Sequence, residues 1–429
     1  MKGKKVRFYY GWVIVGVSFL TLFFSLGTRS SFGVFYVAIL RDYAWGRAET
    51  AGAFSLAMAI HGLFALVTGS LIDRFGPRTL FPLGAILLAM GLAAASRITA
   101  IWHLYLFFGV VMAVGINTIS YAPNMSRIPK WFVRKRGLAS GLVLAGIGVG
   151  IMVIAPVIQL IIDTVGWRSA FLILAGIVVG IVVPITALLQ RRSPEDVGQF
   201  PDGIVPDSGR TYTTAPPEGS TRHTRTSDLS DQWTLRAALR TGDYWWMTLV
   251  FFSTSFSFNM LIVHQAARVV DAGYAPTLAA LSVGLVGLLN SFGGVFCGFL
   301  SDRVGREIGY TLGASSAIVG VFLFLLVRDP ALPWLLYGFV ILFGLGHGAT
   351  SPTIAATAGD LFSGNSLGRI MGTFSTGWGF GGALGPYLGG YFYDQTGSYT
   401  IPLILAMASL SLGILGMWMA APGRRRPLI

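Results

Sequence analysis

The stretch Gly69 to Arg78, G-S-L-I-D-R-F-G-P-R, sits between two apolar runs of membrane-spanning length, so it must form a short charged turn between two helices. The pattern returns half a chain later, at Gly298 to Arg306, as G-F-L-S-D-R-V-G-R, again between two apolar runs. One copy of G-x-x-x-D-R-x-G carries little weight. Two copies at a half-chain offset imply a duplicated chain folded as two similar hydrophobic halves.

Composition agrees with a membrane chain. Of 429 residues, 54% are hydrophobic and 11% charged, against about 25% charged in soluble domains. Apolar runs of about 20 residues, the length that crosses a hydrocarbon layer roughly 30 Å thick, fall near 10–38, 50–72, 79–96, 102–123, 138–162 and 168–190, and after a gap near 243–264, 277–300, 308–327, 333–358, 366–392 and 400–420. The expected fold is all-α: twelve transmembrane helices in two six-helix bundles, residues 1–190 and 243–429. Residues 191–242, polar and carrying five prolines, read as a mostly disordered cytoplasmic linker.

The formal charge of +13 comes from basic residues in short loops, and no domain remains to bind a duplex, so no nucleic-acid partner is expected. The basic start could pass for a signal peptide, but its apolar run is too long and lacks a small-x-small cleavage site. With the N-terminus inside, 24 of the 31 Lys and Arg lie on the inner side and six on the outer. This bias places both termini, the linker and both turns in the cytoplasm, in a cell membrane, expected to be a bacterial inner membrane. Cys297 is the single cysteine, which leaves no internal disulfide, and no metal or cofactor motif is present. A monomer is expected.

Charge inside a bilayer costs at least a few kcal/mol and calls for a reason. Arg29 lies deep in the first run, on a polar stripe with Thr21, Ser25 and Tyr36. No Asp or Glu falls well inside any run, so an anionic ligand is its natural complement. Three histidines, His61, His264 and His347, fall within or at the ends of runs and are the candidates for proton coupling; His347 is read as sharing a face with Tyr337, Gly344 and Ser351. Asn117, Tyr121 and Asn124 recur at helical spacing in the fourth run, Asn290 lies in the eighth and Trp378 in the eleventh. The substrate-binding candidates are Arg29, Asn117, Tyr121, Asn290, His347 and Trp378. In the turns, Asp73, Arg74, Arg78, Asp302, Arg303 and Arg306 are gating candidates, forming and breaking contacts on the cytoplasmic side. Glycines at 137, 141, 146 and 150, and again at 377, 381, 385 and 389, suggest a sliding interface between the halves.

The repeated turn resembles the signature loop of the major facilitator superfamily. Y-Y-G-W (Tyr9 to Trp12) and T-R-S-S-F-G-V-F (Thr28 to Phe35) further resemble the first helix of the monocarboxylate transporters and the related oxalate/formate exchangers. The resemblance implies alternating access, with Arg29 standing where that family has a basic residue implicated in substrate or proton handling. Where the family carries Asp-x-x-x-Arg in helix 8, this chain has Asn290 and Gly294, so that pair's role does not carry over. The expectation is a secondary transporter, not an enzyme, for a small organic anion such as a monocarboxylate, with proton symport open to the histidines. An exporter of amphipathic drug-like compounds and a transport-inactive membrane sensor are the alternatives.

Overall fold

A computed structural model describes residues 8–203, 233–362 and 366–420; the basic tail residues Lys2, Lys4, Lys5 and Arg424 to Arg426 and the linker prolines 206, 216 and 217 lie outside them, as do the side chains of Asp73, Cys297 and Asp302. The described residues form twelve long helical spans. They are α1 (Gly11–Tyr43), α2 (Arg47–Phe75), α3 (Pro77–Ala95) and α4 (Ile101–Trp131). The 54-residue stretch Arg136–Leu189 bends at Gly166, whose φ of 81° suits only glycine, into α5 (136–165) and α6 (167–189). The second half holds α7 (Gly242–Asp271), α8 (Pro276–Val304), α9 (Arg306–Leu326), α10 (Pro333–Leu361), α11 (Leu367–Thr396) and α12 (Thr400–Ala420).

The duplication is visible in the two signature turns. Gly76 (φ 72°) and Gly305 (φ 101°) occupy the same position in each, at the one residue between α2 and α3 and between α8 and α9. A side chain there would be strained, which explains the second glycine of the motif.

Within each half the fourfold-spaced glycines pack helices closely. A Cβ on Gly146 or Gly150 would lie 2.5 or 2.3 Å from the carbonyl oxygen of Phe19 or Phe23 in α1, and on Gly381 or Gly385 at 2.2 or 2.4 Å from that of Phe252 or Phe256 in α7. These glycines therefore serve contacts inside each half, not the sliding interface expected of them. The contact between halves uses others: Gly62 of α2 against Gly379 of α11, Gly390 against Ala48, and Gly148 of α5 against Ser291 of α8. Because lipid supplies no hydrophobic drive for association, such backbone proximity supplies it through van der Waals contact.

The halves touch at mid-depth and on the face opposite the signature turns, and part toward the turn face. At the far end Gly33 of α1 abuts the carbonyls of Ile262 and Val263 in α7. Toward the turn face, a Cβ on Gly137, Gly141, Gly359 or Gly368 would meet no described residue within 4 Å, and Leu63, Val67, Leu138 and Val295 are exposed.

The linker departs from expectation at its ends. Residues 191–203 form two short turns that dock on the first half: Gln199 joins the Phe8 carbonyl and the Tyr10 amide, and Asp202 accepts from the amides of Val133 and Arg134 at 3.1 and 2.8 Å. Tyr9 and Tyr10 of the Y-Y-G-W stretch bond the carbonyls of Trp131 and Leu189, so the motif pins the start of α1.

Gly62→Leu is expected to clash with the α11 backbone and cost about 1–3 kcal/mol, lowering the thermal midpoint in detergent, whereas Gly137→Leu stays within about 0.5 kcal/mol. Equal midpoints for both would contradict the assigned interface.

Candidate functional site

α1 is interrupted just past Arg29. Ser31 takes ψ of −2° and both its amide and its hydroxyl bond the Gly27 carbonyl, at 3.0 and 2.7 Å. Below the break, the polar stripe turns toward α4: Thr21 donates to Asn124 at 3.3 Å. Arg29 itself remains partly accessible and lines a small cavity with Ala57 and His61 of α2 and Phe108, Met112, Ile116 and Asn117 of α4. Among the described residues no hydrogen bond or ion pair to Arg29 is found, so its positive charge has no protein counter-ion. The free space is about that of one water molecule, so a larger guest needs the helices to part.

Three predicted residues thus converge: Arg29, His61 and Asn117. His61 Nδ1 is bonded to the Asn117 side-chain oxygen, and among the described residues Nε2 has no protein partner. The other two candidate histidines are engaged at both ring nitrogens. His347 accepts from Asn290 Nδ2 at 2.9 Å and donates from Nε2 to the Thr254 carbonyl at 3.3 Å, with Phe258 stacked on its ring at 4.4 Å. His264 bonds the Pro386 carbonyl at 2.8 Å and the Tyr399 hydroxyl at 3.2 Å.

The two His–Asn bridges are copies of each other. Position 290 stands to 61 as Gly298 stands to Gly69, and 347 falls one place beyond the position that the same offset gives from 117. α2 and α4 carry His61 and Asn117, while α8 and α10 carry Asn290 and His347, with the partners exchanged.

The remaining candidates disperse. Tyr121 is exposed, because α4 breaks at Ile119 and Ser120 and turns the spacing out of register; Asn124 is buried. Tyr337 and Ser351 are exposed while His347 is buried, so they do not share its face. Trp378 is partly accessible, its carbonyl accepting from Ser255 at 2.5 Å. In the turns Arg74, Arg78 and Arg303 are exposed, and Arg306 pairs with Asp360 of its own half at 3.1 Å.

Two clusters had no place among the predicted residues. Arg127, buried, bonds Asn124 at 2.8 Å, the Pro123 carbonyl at 3.1 Å and the Gln190 side chain, and lies over the Phe81 ring. It is a satisfied pin at the base of the first half. On the far face Arg47 forks onto both oxygens of Asp271 at 2.8 and 3.0 Å, bonds Tyr399 at 2.5 Å and covers the Tyr393 ring at 3.6 Å. Asp394 caps α2 through the amides of Arg47 and Ala48, at 2.9 and 2.8 Å, a carboxylate at a positive helix end. Their only sequence signal is position: all three charges lie outside the apolar runs.

The chain matches the sequence model of the Major Facilitator Superfamily over residues 18–358 and 271–428. It belongs to that superfamily. Bovine monocarboxylate transporter 13 is 27% identical over 404 residues, 94% of this chain and 88% of the relative, and human monocarboxylate transporter 11 is 26% identical over 403 residues, 92% and 80%. Among solved structures, a bacterial homolog of the human lysosomal transporter Spinster, inward-facing and occupied, superimposes with a TM-score of 0.72 at 15% identity over 96% of this chain and 97% of that one. The protein is therefore a superfamily transporter related to the monocarboxylate transporters, with the twelve-helix, two-half membrane fold expected from the duplicated turns.

In a double-mutant cycle read by thermal unfolding, Arg47→Ala and Asp271→Ala are expected to couple by about 1–2 kcal/mol, and Arg168→Ala with Asp42→Ala, a more exposed pair within one half, by under about 1 kcal/mol. No coupling at Arg47–Asp271 would remove the far-face lock.

Proposed function

We propose that this transporter moves a small organic anion, a monocarboxylate by preference, between its halves by alternating access. The observation that carries the reading is Arg29: a guanidinium among mostly apolar walls that no described residue neutralises, beside a histidine whose second nitrogen no described residue bonds. A planar fork of N–H donors matches a carboxylate. The names of the monocarboxylate transporters, similar to this chain over most of its length, support the same substrate class.

Of the three histidines, His61 is the one suited to proton coupling, since Nε2 needs no protein bond broken to take a proton. A carboxylate at Arg29 would favour the imidazolium beside it, and the imidazolium would favour the carboxylate by the same factor. His347 and His264 serve better as positioning groups for the second half and the far-face lock. Opening of the far face would require Arg47 to leave Asp271 while Arg74, Arg78 and the Arg303–Arg306 turn close the opposite side. The Lys and Arg bias supports a cytoplasmic turn face in a cell membrane.

In proteoliposomes, Arg29→Ala is expected to lose at least roughly 30-fold in carboxylate affinity, as for other buried charge pairs worth about 2–5 kcal/mol, with Arg29→Lys recovering part of it. His61→Asn should retain uptake but lose its response to an imposed pH gradient. Full uptake by both Arg29 variants would overturn the anion reading and favour a tolerant exporter of apolar compounds.

A further inference from the structure

The repeat assigns Arg29 a counterpart. The offset that carries Gly69 to Gly298 and His61 to Asn290 carries Arg29 to Phe258, in α7. The two residues share an unusual exposure. From Phe24 to Tyr36 every residue of α1 is buried except Arg29, and from Ser253 to Ala267 every residue of α7 is buried except Phe258.

They also stand at the same depth. α1 and α7 touch where Gly33 meets the carbonyls of Ile262 and Val263. Gly33 is four residues beyond Arg29 and Ile262 four beyond Phe258, so each side chain lies one helical turn, about 6 Å, on the turn-face side of that contact. That is the direction in which the halves part.

The backing of each residue differs. Arg29 has the open His61–Asn117 bridge beside it. Phe258 is stacked on His347 at 4.4 Å with an interplanar angle of 21°, and His347 is fixed at both nitrogens by Asn290 and Thr254. One wall is cationic and adjustable, the other aromatic and rigid.

We propose that Phe258 is the specificity-determining wall of the transport site, the surface on which the apolar body of the anion rests while its carboxylate faces Arg29. The proposal rests on the reading of Arg29 as the anion's partner. A single charged end and an aromatic end fit a monoanion with a compact apolar body, and the ring's bulk limits that body's size. A site of this kind discriminates between bodies by the space and contact the wall offers, typically 10–200-fold per group.

The test is the ratio of affinities of purified protein for phenylpyruvate and pyruvate, by calorimetry. Phe258→Ala should shift the ratio at least tenfold toward phenylpyruvate, Phe258→Leu less, and Phe258→Tyr, which keeps the ring, should leave it as in the unmodified protein. An unchanged ratio in both Phe258→Ala and Phe258→Leu, with the protein monodisperse, overturns the aromatic wall. Arg29→Ala separates the two readings. If it abolishes binding of both acids while the Phe258 variants keep the ratio, only the wall fails; if it binds both acids unchanged, the anion site fails with it.

Discussion

A positive charge held among helices in a low-dielectric layer has to be answered by something, and everything central to this protein follows from how each buried guanidinium is answered. Arg127 is answered by Asn124, Pro123, Gln190 and an aromatic face, a neutral cage that leaves it structural. Arg47 is answered across the two halves by Asp271 and two tyrosines. Arg29 alone of the three has no protein group bonded to it among the described residues, and it lines a small cavity with α2 and α4. The same residue type thus gives a pin, a lock and, in the proposed function, a binding group, according to its neighbours.

The conformation fits this division. The halves are held together on the far face by a forked ion pair, a capped helix end and glycine-mediated backbone contact, and they separate toward the signature turns. The far-face contacts are concentrated at few residues, which suits the release of this face in the proposed alternating access. Beneath them, Tyr36 meets His264 edge-on at 5.3 Å, and His264 bonds Tyr399, which also bonds Arg47. The lock is therefore joined by packed side chains to the two central helices, α1 and α7.

Much of the architecture was legible in the chain itself, because membrane spans follow from apolar length and the duplication from the turn at Gly69 and Gly298. The site was legible only in part. Arg29, His61 and Asn117 could each be picked out as polar groups in apolar runs, but their convergence depends on helix rotation, which spacing within one run does not fix. Tyr121 stands apart from buried Asn117 for a local reason, since α4 breaks at Ile119 between them. Fourfold glycine spacing announces close packing without saying against which helix, and Gly150 and Gly381 pack inside their own halves. Arg47, Asp271 and Asp394 carry no signal beyond lying outside the apolar runs, because the groups they bond lie in the opposite half of the chain. The exchanged His–Asn bridges were available in principle from the repeat offset, once structure showed which pairs bond.

The most direct measurement is a cryo-electron microscopy map of the protein in nanodiscs saturated with a halogenated monocarboxylate. The predicted result is carboxylate density within hydrogen-bonding distance of the Arg29 guanidinium and beside His61, in the space between the halves. Density elsewhere, with Arg29 bonded to an acidic side chain or to lipid phosphate, would contradict the central claim.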